Sequence, residues 1–143
     1  MTELPLDDDA TLEIYTDGAS RGNPGPASYG FVFTDGDHVL YEESEFLGTR
    51  TNNQAEYHAV LNAIERAREM HDGPLRVHSD SKLLVNQLNG EWKVKDRELR
   101  QLYDAVQKAM EGVSVRFSHH TRDNEFVTVA DQLCNDTLDR EGH

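Results

Sequence analysis

The chain has 143 residues, the size of one ordinary domain, with 36 % hydrophobic and 29 % charged residues. No stretch approaches the roughly 20 apolar residues that span a bilayer, and the acidic start lacks the basic-then-apolar order of a signal peptide. A single cysteine, Cys134, excludes an intrachain disulfide and a four-cysteine zinc site.

Lys and Arg total 14 against 27 Asp and Glu, a formal net charge of −13. Such a surface repels polyanions at long range. The acids are dispersed, and only Asp7-Asp8-Asp9 forms a run. One explanation is a cytoplasm of very high salt, where the screening length falls to about 3 Å at molar ionic strength. The composition therefore suggests a cytoplasmic, halophilic protein. An acidic protein of ordinary cytosol is the alternative.

Residues 1–10 read as a flexible acidic leader, and residues 11–140 as a single domain. A starting methionine and this leader favour a whole chain over an excised piece. Thr11 to Thr16 alternates and predicts a strand, ended by Asp17. Asp17 to Pro26 is rich in Gly and Pro and predicts a loop. Ala27–Thr34 and His38–Phe46 predict an antiparallel pair joined at Asp35-Gly36-Asp37. Thr51 or Asn52 can cap a helix with Tyr57, Val60, Leu61, Ile64 and Ala67 on one face. Asp72-Gly73-Pro74 stops it. Leu75–Ser79 predicts a strand, Ser81–Leu88 a short helix, and Asp96 caps another helix striped by Leu99, Leu102, Tyr103, Val106 and Met110. Val113–Ser118 predicts a fifth strand, and a last helix spans about Val129–Asp139. Three meander strands followed by helix, strand, helices, strand and helix predict an α/β fold, a mixed sheet flanked by helices.

Four carboxylates fall near element ends: Asp17, Glu56, Asp80 and Asp131. If the first and fourth strands are parallel neighbours, Asp17 and Asp80 emerge side by side. Glu56 and Asp131 then approach from helices. Carboxylates brought together repel unless a cation neutralises them, and hard oxygen ligands select Mg²⁺ or Mn²⁺ over zinc. Each acid taken alone is equally a turn or cap residue.

At these residues the chain resembles a known family. Tyr15-Thr16-Asp17-Gly18-Ala19-Ser20-Arg21-Gly22-Asn23-Pro24-Gly25-Pro26-Ala27 is similar to the opening motif of type 1 ribonuclease H. Thr51-Asn52-Asn53-Gln54-Ala55-Glu56-Tyr57, Ser79-Asp80-Ser81 and Val129-Ala130-Asp131-Gln132-Leu133 resemble its second, third and fourth motifs, in order. The resemblance implies a ribonuclease H-like fold with a five-stranded mixed sheet, three strands antiparallel and two parallel. It implies an endonuclease, acting as a monomer, that cuts the RNA strand of an RNA/DNA hybrid and leaves 5′-phosphate and 3′-hydroxyl ends. Asp17, Glu56, Asp80 and Asp131 become ligands of two Mg²⁺ ions, with Mn²⁺ as substitute. One ion activates the attacking water and the other stabilises the leaving oxygen.

The same resemblance assigns the substrate contacts. The backbone of Gly18, Ala19, Ser20 and Arg21 contacts RNA riboses, whose 2′-hydroxyl marks RNA. Asn23, Asn52 and Asn53 read the minor groove. Thr51 binds a DNA phosphate, with Arg50 and Asn86 assisting. Trp92 and Lys93 lie in the DNA channel, beside Lys95. The basic handle that some members carry is missing, because Gly90-Glu91-Trp92-Lys93-Val94-Lys95 joins two helices directly. The histidine that many members place before the last aspartate corresponds to His120, with His119 or Arg122 as alternatives. A non-catalytic module binding hybrids or double-stranded RNA is the competing reading.

Overall fold

The computed structural model describes residues 4–143. Its chain order is β1 (Leu12–Ser20), β2 (Gly25–Thr34), β3 (Val39–Arg50), α1 (Asn52–Met70), β4 (Leu75–Ser79), α2 (Lys82–Leu88), α3 (Arg97–Ala109), β5 (Val115–His119) and α4 (Glu125–Arg140). The five strands form one sheet in the order β3-β2-β1-β4-β5. The pairs β1–β2 and β2–β3 are antiparallel, while β1–β4 and β4–β5 are parallel. This is the mixed sheet that the element order predicted.

Strand alternation sends successive residues to opposite faces. On one face Leu12, Ile14, Phe31 and Phe33 pack with Tyr57, Val60 and Ile64 of α1. On the other, Tyr15 and Val32 pack with Phe126 and Val127 of α4. Helix α1 lies between the sheet and α3. That explains why Ala55, Ala59 and Ala63 are buried as well as Tyr57, Val60, Ile64 and Ala67 of the predicted face, while Leu61 is half-buried.

Three expectations need correction. First, β1 does not end before Asp17; it runs on through Gly18 and Ala19 to Ser20, paired with Ala27–Gly30. The loop shrinks to residues 21–24. Local turn signals in Gly and Pro yield to ladder hydrogen bonds with a full-length partner strand. Second, α4 begins at Glu125, four residues early, because Asn124 accepts from the N–H groups of Phe126 (2.9 Å) and Val127 (3.1 Å). Asp131 therefore stands two turns into the helix. Third, the described part of the leader packs on the domain. Leu4 is buried in the main core, and the Ala10 carbonyl lies 2.7 Å from Nε2 of His71. Residues 1–3 lie outside the described residues.

Candidate active site

The parallel β1–β4 pair places Thr16 beside Ser79, so Asp17 and Asp80 leave the same edge together. Asp17 is almost wholly buried, and Glu56 in the second turn of α1 is too. Asp17, Glu56 and Asp80 each offer a carboxylate oxygen within 4.8 Å of the others. Both carboxylate oxygens of Asp17 are buried without a hydrogen-bond partner. Burial pushes the Asp17 carboxyl well above the usual range, and the Glu56 charge adds to this. Burial also raises Glu56, with the Asp80 charge acting in the same direction. A buried anion without a partner costs several kcal/mol, of the order seen for uncompensated buried charges. The donor set is all hard oxygen, and it fits a divalent cation.

Glycines bring the ligands this close. Gly18 faces the start of α1, and its N–H donates to Oε1 of Glu56. A Cβ there would lie 2.3 Å from the Glu56 nitrogen. Gly30 pairs with Asp17 across β1–β2 and lets α4 cross closely, since a Cβ would meet the Ala130 carbonyl oxygen at 2.9 Å. The crossing is fastened by Ser28 Oγ donating to the Cys134 carbonyl (2.8 Å) and by Cys134 Sγ lying 3.4 Å from the Asp17 carbonyl. Burial raises the thiol, so Cys134 packs as a neutral group. Sequence reasoning missed Gly30 and Ser28. A lone glycine inside the apolar run Tyr29-Gly30-Phe31 was the available signal.

Asp131 comes from α4 and is half-buried. It stands outside the tight trio but adds to the upward push on Asp17. Asn135, one turn on, donates Nδ2 to the Asp131 carbonyl at 3.1 Å. Arg122 Nε donates to Oδ2 of Asp80 at 2.8 Å. A cleft of about 330 Å³ opens over the carboxylates, lined by Asn52, Glu56, Asp80, Ser81, His119, Thr121 and Arg122. His120, the expected helper, does not line this cleft. Its ring packs edge-on to His78 at 4.6 Å and near Tyr15. The alternatives His119 and Arg122 occupy the cleft instead. His119 ends β5 and His120 follows it, so these two side chains turn opposite ways.

The residues expected to contact substrate stand in different local settings. Gly18, Ala19 and Ser20 lie in the strand, and Ser20 Oγ donates to the Arg50 carbonyl at 2.8 Å. Arg21 is held by Asp139 of α4 at 2.8 Å. Asn23 Oδ1 accepts from the Asn52 N–H at 3.0 Å, so it fixes the start of α1. Thr51 is the N-cap and forms a capping box with Gln54. Asn52 and Asn53 are exposed. Asn86 donates to the Lys82 carbonyl, and its own carbonyl accepts from Glu91 and Trp92. Trp92 is 46 % exposed, unusual for this residue. It lines a second groove with Lys93, Lys95, Arg100 and Tyr103. No handle separates α2 from α3.

Fold and site together define a class, an α/β domain with a carboxylate cluster where parallel strands emerge from a mixed sheet. The family model described as Reverse transcriptase-like matches residues 15–137. A bifunctional protein of Mycobacterium tuberculosis is 41 % identical over 128 residues, which are 88 % of this chain and 35 % of that protein. Ribonuclease HI of Halobacterium salinarum is 38 % identical over 131 residues, 90 % of this chain and 64 % of that protein. The chain thus spans about a third of the first relative's length and under two thirds of the second's. Among solved structures, LC11-RNase H1 in complex with an RNA/DNA hybrid superposes with a TM-score of 0.86 at 34 % identity, covering 92 % of this chain and 99 % of that one. The chain belongs to the ribonuclease H family.

Proposed function

We propose that this domain is a metal-dependent endonuclease that hydrolyses the RNA strand of RNA/DNA hybrids, leaving 5′-phosphate and 3′-hydroxyl ends. The observation that carries this reading is the buried Asp17 carboxylate, unpartnered at both oxygens and within reach of Glu56 and Asp80. The similarity to a protein solved with a hybrid supports the substrate. Asp17, Glu56, Asp80 and Asp131 would hold two Mg²⁺ ions, with Mn²⁺ as substitute. When bound, such a pair supplies a nucleophilic water and charge stabilisation at the leaving oxygen.

The chain's own residues do the rest. Gly18 orients Glu56 through its N–H. Arg122 fixes Asp80 and brings positive charge to the cleft. The backbone of Gly18 to Ser20 and the amides of Asn52 and Asn53 face the RNA, while Thr51, Asn86, Trp92 and Lys93 take the DNA strand. His119 is better placed than His120 to assist proton movement at the cleft.

The test is cleavage of a strand-labelled hybrid in Mg²⁺ or Mn²⁺, beside single-stranded and double-stranded RNA. Asp80→Asn is expected to lower the rate at least about 10³-fold, the equivalent of about 4 kcal/mol of transition-state stabilisation, with the fold intact. Near-normal cutting by that variant overturns the site. Folded wild-type protein that binds hybrid without cutting it points to the binding module.

We further propose that the domain works as a monomer in a salt-rich cytoplasm. The charge of −13 supports this, as does the likeness to a halobacterial relative. Among the described residues, no helix is long and apolar enough to cross a membrane. Thermal unfolding is expected to rise by several degrees from low to molar KCl, since screening weakens self-repulsion. An unchanged midpoint rejects the halophilic reading.

A further inference from the structure

The far end of the sheet, at the starts of β4 and β5, carries a second polar constellation. Arg76 and Arg116 are direct register partners on these parallel strands. Neighbouring strands lie about 4.8 Å apart, and like charges placed side by side on one face destabilise a sheet. Neither guanidinium forms an ion pair among the described residues, whereas Arg21, Arg66, Arg100 and Arg122 do and Arg50, Arg68, Arg97 and Arg140 do not. What sets Arg76 and Arg116 apart is that they stand side by side on neighbouring strands.

Among the described residues no acid forms an ion pair with either of them. Glu13 completes the register row beside Arg76, but its Oε1 lies 2.6 Å from Nε2 of His78. Asp7, Asp8 and Asp9 precede Thr11 and pair with neither arginine. Helix α4 lies over β1, β2 and β3, which leaves the same face of β4 and β5 open. Arg116 is accordingly exposed and Arg76 half-buried. Both line a cavity of about 240 Å³ that also includes Thr11, Pro74, Leu75 and Ser114. Two arginines, a threonine and a serine around one small cavity offer the donor types that a phosphoryl group takes.

We propose that Arg76 and Arg116, with Thr11 and Ser114, form an anion site that takes a phosphoryl group at the end of the sheet opposite the carboxylates. Four residues of β4 and its exit separate Arg76 from Asp80, about 13 Å at 3.3 Å per residue. The site is therefore distinct from the cleft. The phosphoryl group is either inorganic phosphate or the terminal phosphate of an oligonucleotide.

The test follows the arginine Nε–H signals by NMR, without divalent cations. Inorganic phosphate is titrated against KCl at matched ionic strength. A 5′-phosphorylated dinucleotide and its dephosphorylated form are run in parallel. Saturable shifts at Arg76 and Arg116 with phosphate, lost in the R76Q/R116Q double variant, are expected. Hybrid cleavage by that variant in phosphate-free buffer should be unchanged. Affinity at least tenfold higher for the phosphorylated dinucleotide identifies an oligonucleotide end as the ligand; equal or weaker affinity identifies free phosphate. Chloride producing the same shifts, or phosphate binding retained by the double variant, overturns the proposal. If the double variant is unstable, Arg116→Gln alone, at an exposed position, gives the same readout and is expected to weaken phosphate binding at least tenfold.

Discussion

Asp17→Asn is expected to make the metal-free protein more stable and to abolish cleavage. The wild-type carboxylate is buried beside Glu56 and Asp80 with no hydrogen bond to either oxygen. An amide takes away a carboxyl that the fold resists ionising, and its N–H groups can donate to the remaining carboxylates. The gain is about 1–3 kcal/mol, the range for relieving an unsatisfied buried polar group. The loss of activity is about 10³-fold or more, because the side chain central to the ligand set becomes neutral. Such opposition between stability and activity is expected where a site stores charge for a ligand.

The pH dependence gives a second reading of the same variant. The Asp17 and Glu56 carboxyls are both raised, by burial first. The folded chain therefore holds these protons more tightly than the unfolded chain. Their stabilisation is present below about pH 4, the ordinary carboxylate range, and is lost as pH rises through the folded values. Metal-free wild type should lose stability across that interval, and Asp17→Asn should lose less. Added Mg²⁺ should restore wild type at neutral pH and leave the variant unmoved. Thermal unfolding at pH 5 and pH 8, with and without Mg²⁺, reads all of this. Equal slopes and equal Mg²⁺ responses in the two proteins would refute the metal-site assignment.

Gly18→Ala is expected to cost about 3 kcal/mol or more, at the upper end of overpacking effects. The added methyl would lie 2.3 Å from the Ala55 carbonyl carbon and the Glu56 nitrogen, and 2.5 Å from the Ala55 oxygen. All three are backbone atoms, so no side chain can swing away. Either β1 or the start of α1 must move, and Glu56 moves with it. Cleavage should fall even where the variant remains folded. Gly36→Ala is the control. Gly36 has φ +102 but nothing within 4 Å of the added methyl. Only backbone strain applies there, about 1 kcal/mol. Denaturant midpoints compare the two. A Gly18→Ala midpoint equal to that of Gly36→Ala would show that β1 and α1 are not in the close contact described.

Much of the fold was legible because local signals agreed with the tertiary solution. Tyr57, Val60, Ile64 and Ala67 share a helix face and are all buried. Leu75–Ser79 is β4 to the residue. The failures occur where local chemistry is ambiguous. Asp17 to Ser20 carries turn-like composition but has a full antiparallel partner in Ala27–Gly30. The start of α4 lay hidden because residues 125–128 have no strong helical period. Asn124 supplies the cap, and Phe126 and Val127 are bound to the sheet through Tyr15 and Val32.

The sequence by itself determined the class of fold and pointed to Asp17, Glu56 and Asp80, which the structure brings together, because motif residues and hydrophobic periods are written along one dimension. It left the helper beside Asp80 open among His119, His120 and Arg122. Only the tertiary structure decided that Arg122 holds Asp80 while His120 packs on His78. Only the structure showed that Gly18 and Gly30 set how closely α1 and α4 approach, and that Arg76 and Arg116 stand side by side. These are relations between residues far apart in the chain. They follow from strand register and face, which change completely when a strand shifts by one residue.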